Sequence, residues 1–372
     1  MISAPARIGS HVCEVDTPAL LVELDALERN IRGMQDRIAG TKLRLRPHAK
    51  THKSTAIANL QLAAGAVGVC CQKVSEAEIM VDGGLGDVLI SNEVVGAAKL
   101  DRAAALARRA KIAVCVDDSE NVEQLAAAAE KFGAKIDVLI ELDVGANRCG
   151  VGTPAEVVRL AAAIARSRSL RFAGLQAYHG SAQHLRAHAD RRRAIAGAAD
   201  KVSDTLDLLQ RNGLECGIVS GAGTGTFEFE IASGVYDELQ VGSYVFMDAD
   251  YGRNQDRDGE PVSEFENSLF LLTTVMSTPA ADRAIVDAGL KALSVDSGMP
   301  LLAGCDGISY ARAADEHGRL DIGGNRRFGL GEKIRLIPGH CDPTVNLHDW
   351  FVGIRNEHVE CVWPVSARGA VF

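Results

Sequence analysis

The sequence contains no apolar run that could cross a membrane. Hydrophobic residues make up 47% of its 372 residues, yet no stretch approaches the roughly 18 consecutive apolar residues of a membrane-spanning helix. Residues 1–13 also lack the apolar segment of a signal peptide. These absences predict a cytoplasmic protein that has no membrane partner.

Two further absences restrict the possible partners. The net charge of −9 is spread along the chain, and no basic block is present that could follow a nucleic-acid backbone. The nine cysteines have irregular spacings rather than a metal-binding pattern, so we expect them to be reduced. The composition therefore favours a small-molecule ligand over a nucleic acid.

From residue 42 to residue 241, short apolar runs alternate with segments of helical periodicity. The runs at 88–90 and 138–140 are apolar at consecutive positions, as in parallel strands that are buried on both faces. Eight strands are predicted, beginning near Lys42, Val67, Asp87, Lys111, Ile136, Phe172, Gly217 and Glu238. Eight strand–helix units in about 200 residues predict an α/β protein with a (β/α)8 barrel, which we assign to residues 25–255.

The chain changes character after about residue 255. Predicted strands follow one another without intervening helices, at 269–276, 284–286, 333–337, 350–354 and 359–362. Another strand, at 19–24, precedes the barrel. We therefore predict a second, mainly β domain built from residues 1–24 and 256–372.

Two lysines follow the first predicted barrel strand, in the segment Arg46-Pro47-His48-Ala49-Lys50-Thr51-His52-Lys53. A lysine at the end of a barrel strand, partly desolvated and near other cations, can lose its proton and act as an amine nucleophile. The segment therefore indicates Schiff-base chemistry at Lys50 or Lys53. The alternative is that both lysines are surface charges of a basic loop.

A glycine-rich loop, residues 220–226, follows the seventh predicted strand. Small residues let backbone N–H groups approach an anion, and barrels frequently hold phosphate in the loops after strands seven and eight. The loop matches neither a P-loop nor a dinucleotide fingerprint. It predicts the site of a phosphorylated cofactor, with a flexible glycine turn as the alternative.

Polar side chains also follow the fifth and sixth predicted strands. Arg148 comes after the fifth strand, where its permanent charge can donate to an anionic or phenolate oxygen. Tyr178 and His184 come after the sixth strand, and a histidine there can act as a general base. A structural histidine is the alternative.

His340 and Asp342 lie in the second predicted domain, after a strand. If this segment is extended, positions i and i+2 face the same way, so the two side chains can hold one cation. An imidazole and a carboxylate suit Mn²⁺, Mg²⁺ or Zn²⁺. The alternative is a turn with a buried histidine.

Together these segments resemble the D-threonine aldolase and D-serine dehydratase family of fold-type-III pyridoxal-phosphate enzymes, over nearly the whole chain. The matching segments lie in order at 16–18, 46–50, 71–77, 91–93, 148–151, 176–178, 223–225, 287–291 and 366–369. The resemblance implies an alanine-racemase-like barrel with a β domain, and a homodimer. It also implies two cofactors, pyridoxal 5'-phosphate and a divalent metal.

The resemblance assigns roles to individual residues. It implies that Lys50, rather than Lys53, forms the Schiff base, and that His184 lies near the substrate hydroxyl. Cofactor contacts fall to Arg148, Tyr178, Gly223, Thr224 and Gly225, and metal ligands to His340 and Asp342. We also predict substrate contacts at Gln72 and at Arg253, whose guanidinium could pair with a second carboxylate of the substrate.

Two features of the resemblance favour the aldolase branch. Asp342 stands where the dehydratases typically have cysteine, and Tyr178 to His184 fits the aldolase pattern Tyr-x-Gly-x-x-Gln-His. We therefore predict a carbon–carbon lyase that cleaves D-3-hydroxy-α-amino acids of the D-threonine type to glycine and an aldehyde. The alternatives are a 3-hydroxy-D-aspartate aldolase that yields glyoxylate, a dehydratase, and a non-catalytic carrier of pyridoxal phosphate.

Overall fold

A computed structural model describes residues 3–323 and 326–372. Strand β1 (Ala19–Glu23) and helix α1 (Leu24–Ile38) precede the barrel. The barrel strands are β2 (Arg44–Leu45), β3 (Val69–Cys71), β4 (Asp87–Glu93), β5 (Lys111–Val116), β6 (Ile136–Glu141), β7 (Leu170–Ala177), β8 (Ile218–Gly221) and β9 (Glu238–Leu239). Helices on the outside are α2 (Thr55–Ala63), α3 (Val74–Asp82), α4 (Ala97–Leu106), α5 (Ser119–Phe132), α6 (Pro154–Arg166), α7 (His188–Arg211) and α8 (Phe227–Ser233).

The eight barrel strands are parallel and run in the order β2-β9-β8-β7-β6-β5-β4-β3. Backbone hydrogen bonds from Val67 N to Leu45 O (2.9 Å) and from Cys70 N to Pro47 O (2.8 Å) join the two ends of this sheet. The predicted alanine-racemase-like (β/α)8 barrel is therefore confirmed, and the carboxyl ends of its strands all open toward one mouth.

The burial of the strands explains why the sequence forms a barrel. Val88 and Ile90 face the surrounding helices and Leu89 faces the barrel interior, and each is at most 1% exposed. Helix α6 shows the complementary pattern, because Val157, Leu160 and Ile164 form one buried stripe. Parallel strands covered on both faces require such consecutive apolar residues.

The second sheet contains β1 and the strands of the C-terminal segment. These are β10 (Leu269–Ala280), β11 (Arg283–Val286), β12 (Leu301–Leu302), β13 (Ile308–Ala313), β14 (Gly318–Ile322), β15 (Lys333–Ile337), β16 (Trp350–Arg355) and β17 (His358–Pro364). β1 pairs antiparallel with β10 and parallel with β16, so this N-terminal strand lies in the interior of the C-terminal sheet. The predicted mainly β second region is present.

Two local predictions for this region were incomplete. Strands β12, β13 and β14 were not predicted, and a short helix, α9 (Cys341–Val345), interrupts the predicted run of strands. In the part of the chain that the structure describes, no helix has the length and apolar character needed to cross a membrane.

Candidate active site

One cavity lies at the carboxyl ends of the barrel strands and is closed on one side by the turn around α9. It is lined by nine of the residues predicted from the sequence: Lys50, Gln72, Arg148, Tyr178, His184, Gly223, Thr224, His340 and Asp342. These nine residues come from five barrel segments and one segment of the β domain. Gly225 and Arg253, which were also predicted, do not line this cavity.

Lys50 and Lys53 occupy different environments, although they are three residues apart. Lys50 lines the cavity, with its Nζ 3.7 Å from Asp342 Oδ2. Lys53 is buried and its Nζ lies 3.1 Å from Glu76 Oε1. Lys53 has a positive φ of 49°, which turns the chain so that its side chain leaves the cavity.

The charge on Lys50 is set by opposing effects. Burial favours the neutral amine, but the Asp342 carboxylate and the Tyr178 hydroxyl outweigh it and hold the pKa of Lys50 above its usual value. The neighbouring Arg148 does lower the pKa of Lys50, as the sequence-based expectation had it, but it does not outweigh Asp342.

His48 forms the base of the cavity beside Lys50. Its Nδ1 accepts a hydrogen bond from Lys50 N at 3.3 Å, which caps a single turn of 3-10 helix. Its Nε2 lies 2.9 Å from Gln72 Nε2 and 3.1 Å from Ser91 Oγ. Burial and the nearby Lys50 hold the pKa of His48 well below its usual value, so the ring is neutral.

Arg148 projects over the ring of Tyr178, with its guanidinium carbon 5.7 Å from the ring centre. Its Nη2 also lies 3.5 Å from Glu141 Oε1, at the end of β6. Burial and the neighbouring Glu93 raise the pKa of Glu141 to about 8, so this acid is largely protonated at neutral pH. Glu141 therefore does not neutralise the Arg148 guanidinium, which can bind an anionic ligand.

The glycine-rich loop and the segment after β9 form a tight cradle. A Cβ atom at Gly223 would lie 2.4 Å from Gln183 Oε1, and one at Gly242 would lie 2.7 Å from Thr51 Oγ1. The Thr224 hydroxyl accepts from Tyr244 N at 2.9 Å, which leaves its own proton free to donate. This arrangement suits a phosphate group.

Gly225 also packs closely against Gln183 but does not line the cavity. Its N–H donates to Gln183 Oε1 at 3.0 Å, and a Cβ atom there would lie 2.4 Å from Gln183 O. The residue lets the loop pack against the turn that carries His184. Taken with Lys50, Arg148 and Tyr178, the cradle fits the pyridoxal phosphate that the resemblance implies.

His184 ends a 3-10 turn after β7, and its ring is tied to a buried carboxylate. Its Nδ1 lies 2.6 Å from Asp250 Oδ2, and its ring centre lies 5.5 Å from that of Tyr251. Asp250 also receives hydrogen bonds from Arg186 (2.5 Å) and Arg253 (2.6 Å). Arg253 therefore faces Asp250 in this structure rather than the cavity.

The His340–Asp342 segment is not extended, contrary to the sequence-based expectation. His340 is the N-cap of α9 and Asp342 lies in its first turn, where the Pro343 ring is compatible with a helix. Both side chains nevertheless line the cavity. The helical turn, rather than i/i+2 alternation, brings them together.

The donors in this segment fit a cation only with help from the substrate or water. Among the described residues, no group of three or more His, Cys, Asp or Glu side chains could hold a metal ion. His340 Nδ1 lies 2.8 Å from Asp296 Oδ2, which leaves Nε2 as the ligand atom, and Asp342 adds a carboxylate. A carboxylate that holds the other nitrogen of a histidine is the usual support of a metal ligand, so the residues fit a divalent metal with open positions.

Four residues of the site were missed by sequence reasoning: His48, Glu141, Asp250 and Asp296. His48 lies within the matching segment 46–50, but Gln72 and Ser91, which contact its Nε2, are distant in the sequence. Asp250 and Asp296 carry no pattern that predicts their partners. For these residues only the pairing in space supplies a signal.

Comparisons with known proteins agree with this geometry. Residues 22–250 match the family model for the alanine racemase N-terminal domain, and residues 268–354 match the putative serine dehydratase domain. The two matches correspond to the barrel and to most of the second sheet.

Similar proteins extend the match over the full chain. The chain is 50% identical to a 3-hydroxy-D-aspartate aldolase of Paracoccus denitrificans (98% of this chain, 95% of the relative). It is also 50% identical to a D-threonine aldolase of an Arthrobacter species (98% and 96%). The crystal structure of D-threonine aldolase from Filomicrobium marinum superposes with a TM-score of 0.96 at 51% identity and covers 100% of both chains. The chain therefore belongs to the D-threonine aldolase and D-serine dehydratase family of pyridoxal-phosphate enzymes, within its aldolase branch.

Proposed function

We propose that this protein cleaves D-3-hydroxy-α-amino acids of the D-threonine type to glycine and an aldehyde, using pyridoxal phosphate and a divalent metal. The observation that carries the proposal is the convergence of Lys50, His184 and the His340–Asp342 pair on one cavity. A lysine, a candidate base and two metal donors are the groups that this reaction requires.

The residues of the barrel would hold the organic cofactor. Pyridoxal phosphate, when bound, supplies an electron sink for the carbanion left at Cα. Lys50 would attach it through Nζ, Arg148 and Tyr178 would contact its ring, and the loop containing Gly223 and Thr224 would take its phosphate. Gly225 would shape that loop.

The remaining groups would act on the substrate hydroxyl. A divalent metal, when held by His340 and Asp342, makes a bound hydroxyl more acidic. His184 would accept the proton of the 3-hydroxyl at its Nε2, directly or through a water, while the Cα–Cβ bond breaks. Protonation of Cα completes the formation of glycine.

The preferred aldehyde product is a finer proposal. Relatives at equal identity are a 3-hydroxy-D-aspartate aldolase and a D-threonine aldolase, so the relatives support both substrates equally. We favour the D-threonine type because Arg253, the residue predicted to bind a second carboxylate, is already engaged with Asp250. A homodimer stays a prediction from the resemblance, and a cytoplasmic location stays a prediction from the missing apolar segments. The bound metal is predicted to be Mn²⁺ or Mg²⁺, with Zn²⁺ as the alternative.

Product analysis tests the proposal. The enzyme loaded with pyridoxal phosphate is incubated with D-threonine, D-phenylserine and 3-hydroxy-D-aspartate, with and without added Mn²⁺. Formation of glycine and aldehyde in equal amounts supports an aldolase. Formation of a keto acid and ammonia would identify a dehydratase, and absence of any product would favour the carrier alternative.

A further inference from the structure

Asp250 is a buried carboxylate that serves several partners at once. Its Oδ2 lies 2.6 Å from His184 Nδ1, and its Oδ1 accepts from Arg186 Nη2 at 2.5 Å and from Arg253 Nη2 at 2.6 Å. The side chain is only 5% exposed. The carboxylate is held in one orientation, because both of its oxygens already accept charge-assisted hydrogen bonds.

The Asp250 contact determines which nitrogen of His184 carries a proton. An ionised carboxylate only accepts hydrogen bonds, so the Nδ1 facing Asp250 must be the protonated nitrogen. In the neutral ring, Nε2 is then unprotonated and points away from Asp250. The cations around Asp250 keep it ionised: burial alone would raise its pKa, but hydrogen bonds from Arg186 and His184 outweigh burial and hold it below its usual value.

Arg253 connects Asp250 to the other half of the site. The same Nη2 atom that donates to Asp250 also donates to the backbone oxygen of Ser297. Ser297 directly follows Asp296, the carboxylate that lies 2.8 Å from Nδ1 of His340. One guanidinium therefore spans the turn that orients His184 and the turn that orients His340.

We propose that Asp250 is a positioning residue that holds His184 with an unprotonated Nε2 toward the cavity, and that Arg253 acts by fixing Asp250 rather than by binding a substrate carboxylate. The inference rests on the proposed function, because His184 is the base of that reaction. It departs from the sequence-based assignment of Arg253 as a substrate contact.

The first experiment replaces Asp250 by asparagine in the enzyme loaded with pyridoxal phosphate and Mn²⁺. The amide is similar in shape but can donate to Nδ1, which favours the opposite ring tautomer. We expect kcat to fall at least about tenfold with little change in KM, because an asparagine that imposes the wrong tautomer on a catalytic histidine can cost up to about 10⁴ in kcat. Nitrogen NMR of the imidazole, recorded with diamagnetic Mg²⁺ in place of Mn²⁺ and assigned with His184→Gln, should show the proton moving from Nδ1 to Nε2.

An unchanged tautomer together with an unchanged kcat would overturn the role of Asp250. If Asp250→Asn does not fold, as judged by thermal denaturation, Arg253 provides the test instead. Its side chain is about half exposed, so its replacement removes little packing.

The second experiment compares Arg253→Ala and Arg253→Lys on D-threonine and on 3-hydroxy-D-aspartate. A positioning role predicts the same fold-loss of kcat on both substrates and partial rescue by lysine. It also predicts that Arg253→Ala adds almost nothing to Asp250→Asn, because residues acting through one another are not additive. Loss confined to 3-hydroxy-D-aspartate would overturn the proposal and restore carboxylate recognition.

Arg257→Ala is the matched control. Arg257 lies four residues further on, is 80% exposed, and contacts Glu228 rather than Asp250, so both activities should be unchanged. The two proposals also fail in different ways. If the wild-type enzyme cleaved none of the substrates, the proposed function would fail, whereas the NMR result would still decide whether Asp250 fixes the tautomer of His184.

Discussion

The barrel wall and the turn around α9 face the same cavity, but the balance between burial and nearby charge differs between His48 on the wall and His340 on the turn. On the wall, burial lowers the pKa of His48 and raises that of Glu141, so both groups are largely uncharged at neutral pH. On the turn, burial opposes protonation of His340, but Asp342 and Asp296 outweigh it and raise its pKa. Burial dominates for His48 and Glu141 on the wall, and opposite charges dominate for His340 on the turn.

This difference corresponds to two kinds of ligand. A closely packed wall suits an organic cofactor, and we propose that Thr224 and Arg148 meet the charges on its phosphate and ring oxygen. The turn brings Asp342 and Asp296 close to His340, and carboxylates beside an imidazole suit a cation. Lys50 joins the two regions, because it projects from the barrel and its Nζ lies 3.7 Å from Asp342 Oδ2.

Replacing the lysine that joins the two regions should have the largest effect. Lys50→Ala should lower kcat by at least about a thousandfold, because no other amine lines the cavity within the described residues. Mass spectrometry after borohydride reduction should find no attached cofactor. A reduced adduct in this variant would contradict the assignment.

Lys53→Met is the matched comparison for Lys50. It should retain the attached cofactor but reduce the free energy of unfolding by about 3–5 kcal/mol, because Glu76 would remain buried without its cation. Chemical denaturation followed by fluorescence measures this loss. Similar stability of Lys53→Met and wild type would show that the buried pair contributes little.

Metal removal tests the turn independently of the wall. A chelator should lower the aldolase rate by about 100-fold or more without releasing pyridoxal phosphate, and Mn²⁺ should restore the rate. Asp342→Ala should resist this restoration, whereas Cys341→Ala should respond like wild type. The metal assignment would be wrong if the chelated enzyme worked at full rate.

The protonation of Glu141 on the wall can be tested through the pH dependence of the free energy of unfolding. Burial and Glu93 raise the pKa of Glu141 to about 8 from an ordinary value of 4.5. The folded chain therefore holds a proton that the unfolded chain releases between these values. The stability from this proton is complete below pH 4.5 and is lost as the pH rises through about 8.

Glu141→Gln should consequently remove part of the fall in stability between pH 6 and pH 9. We expect the free energy of unfolding to fall by about 1–3 kcal/mol less in the variant than in wild type over this range. This is the typical cost of a poorly satisfied buried polar group. Denaturant titrations at the two pH values measure it, with exposed Glu123→Gln as control. Parallel losses in wild type and Glu141→Gln would show that Glu141 is already ionised at pH 6.

The smallest expected effect concerns Gln72, which lies 2.9 Å from His48 Nε2 on the wall. If its amide also contacts the substrate, Gln72→Ala should lower kcat/KM by up to about tenfold, since one neutral hydrogen bond is worth about 0.5–1.5 kcal/mol. Gln124→Ala, on the outer surface of α5, is the control. If kcat/KM is unchanged in both variants, Gln72 does not contact the substrate and only supports His48.

Local sequence patterns predicted the barrel because its physical requirement is itself local. Parallel strands buried on both faces need consecutive apolar residues, and Val88 to Ile90 meet that need within three positions. The edge strand β13 was missed because only Tyr310 is buried in it, which leaves no alternation to detect. The helix α9 was missed because five residues are too few to show helical periodicity.

The active site also combines features that the sequence determined with features that only the fold decided. The sequence by itself determined which residue types follow each barrel strand, and therefore the family and the set of candidate groups. Only the tertiary structure decided that Lys53 pairs with Glu76, and that Asp250 and Asp296 face His184 and His340. These pairs are separated by 23 to 66 residues, and a contact over such a distance depends on how the two sheets pack rather than on any local pattern.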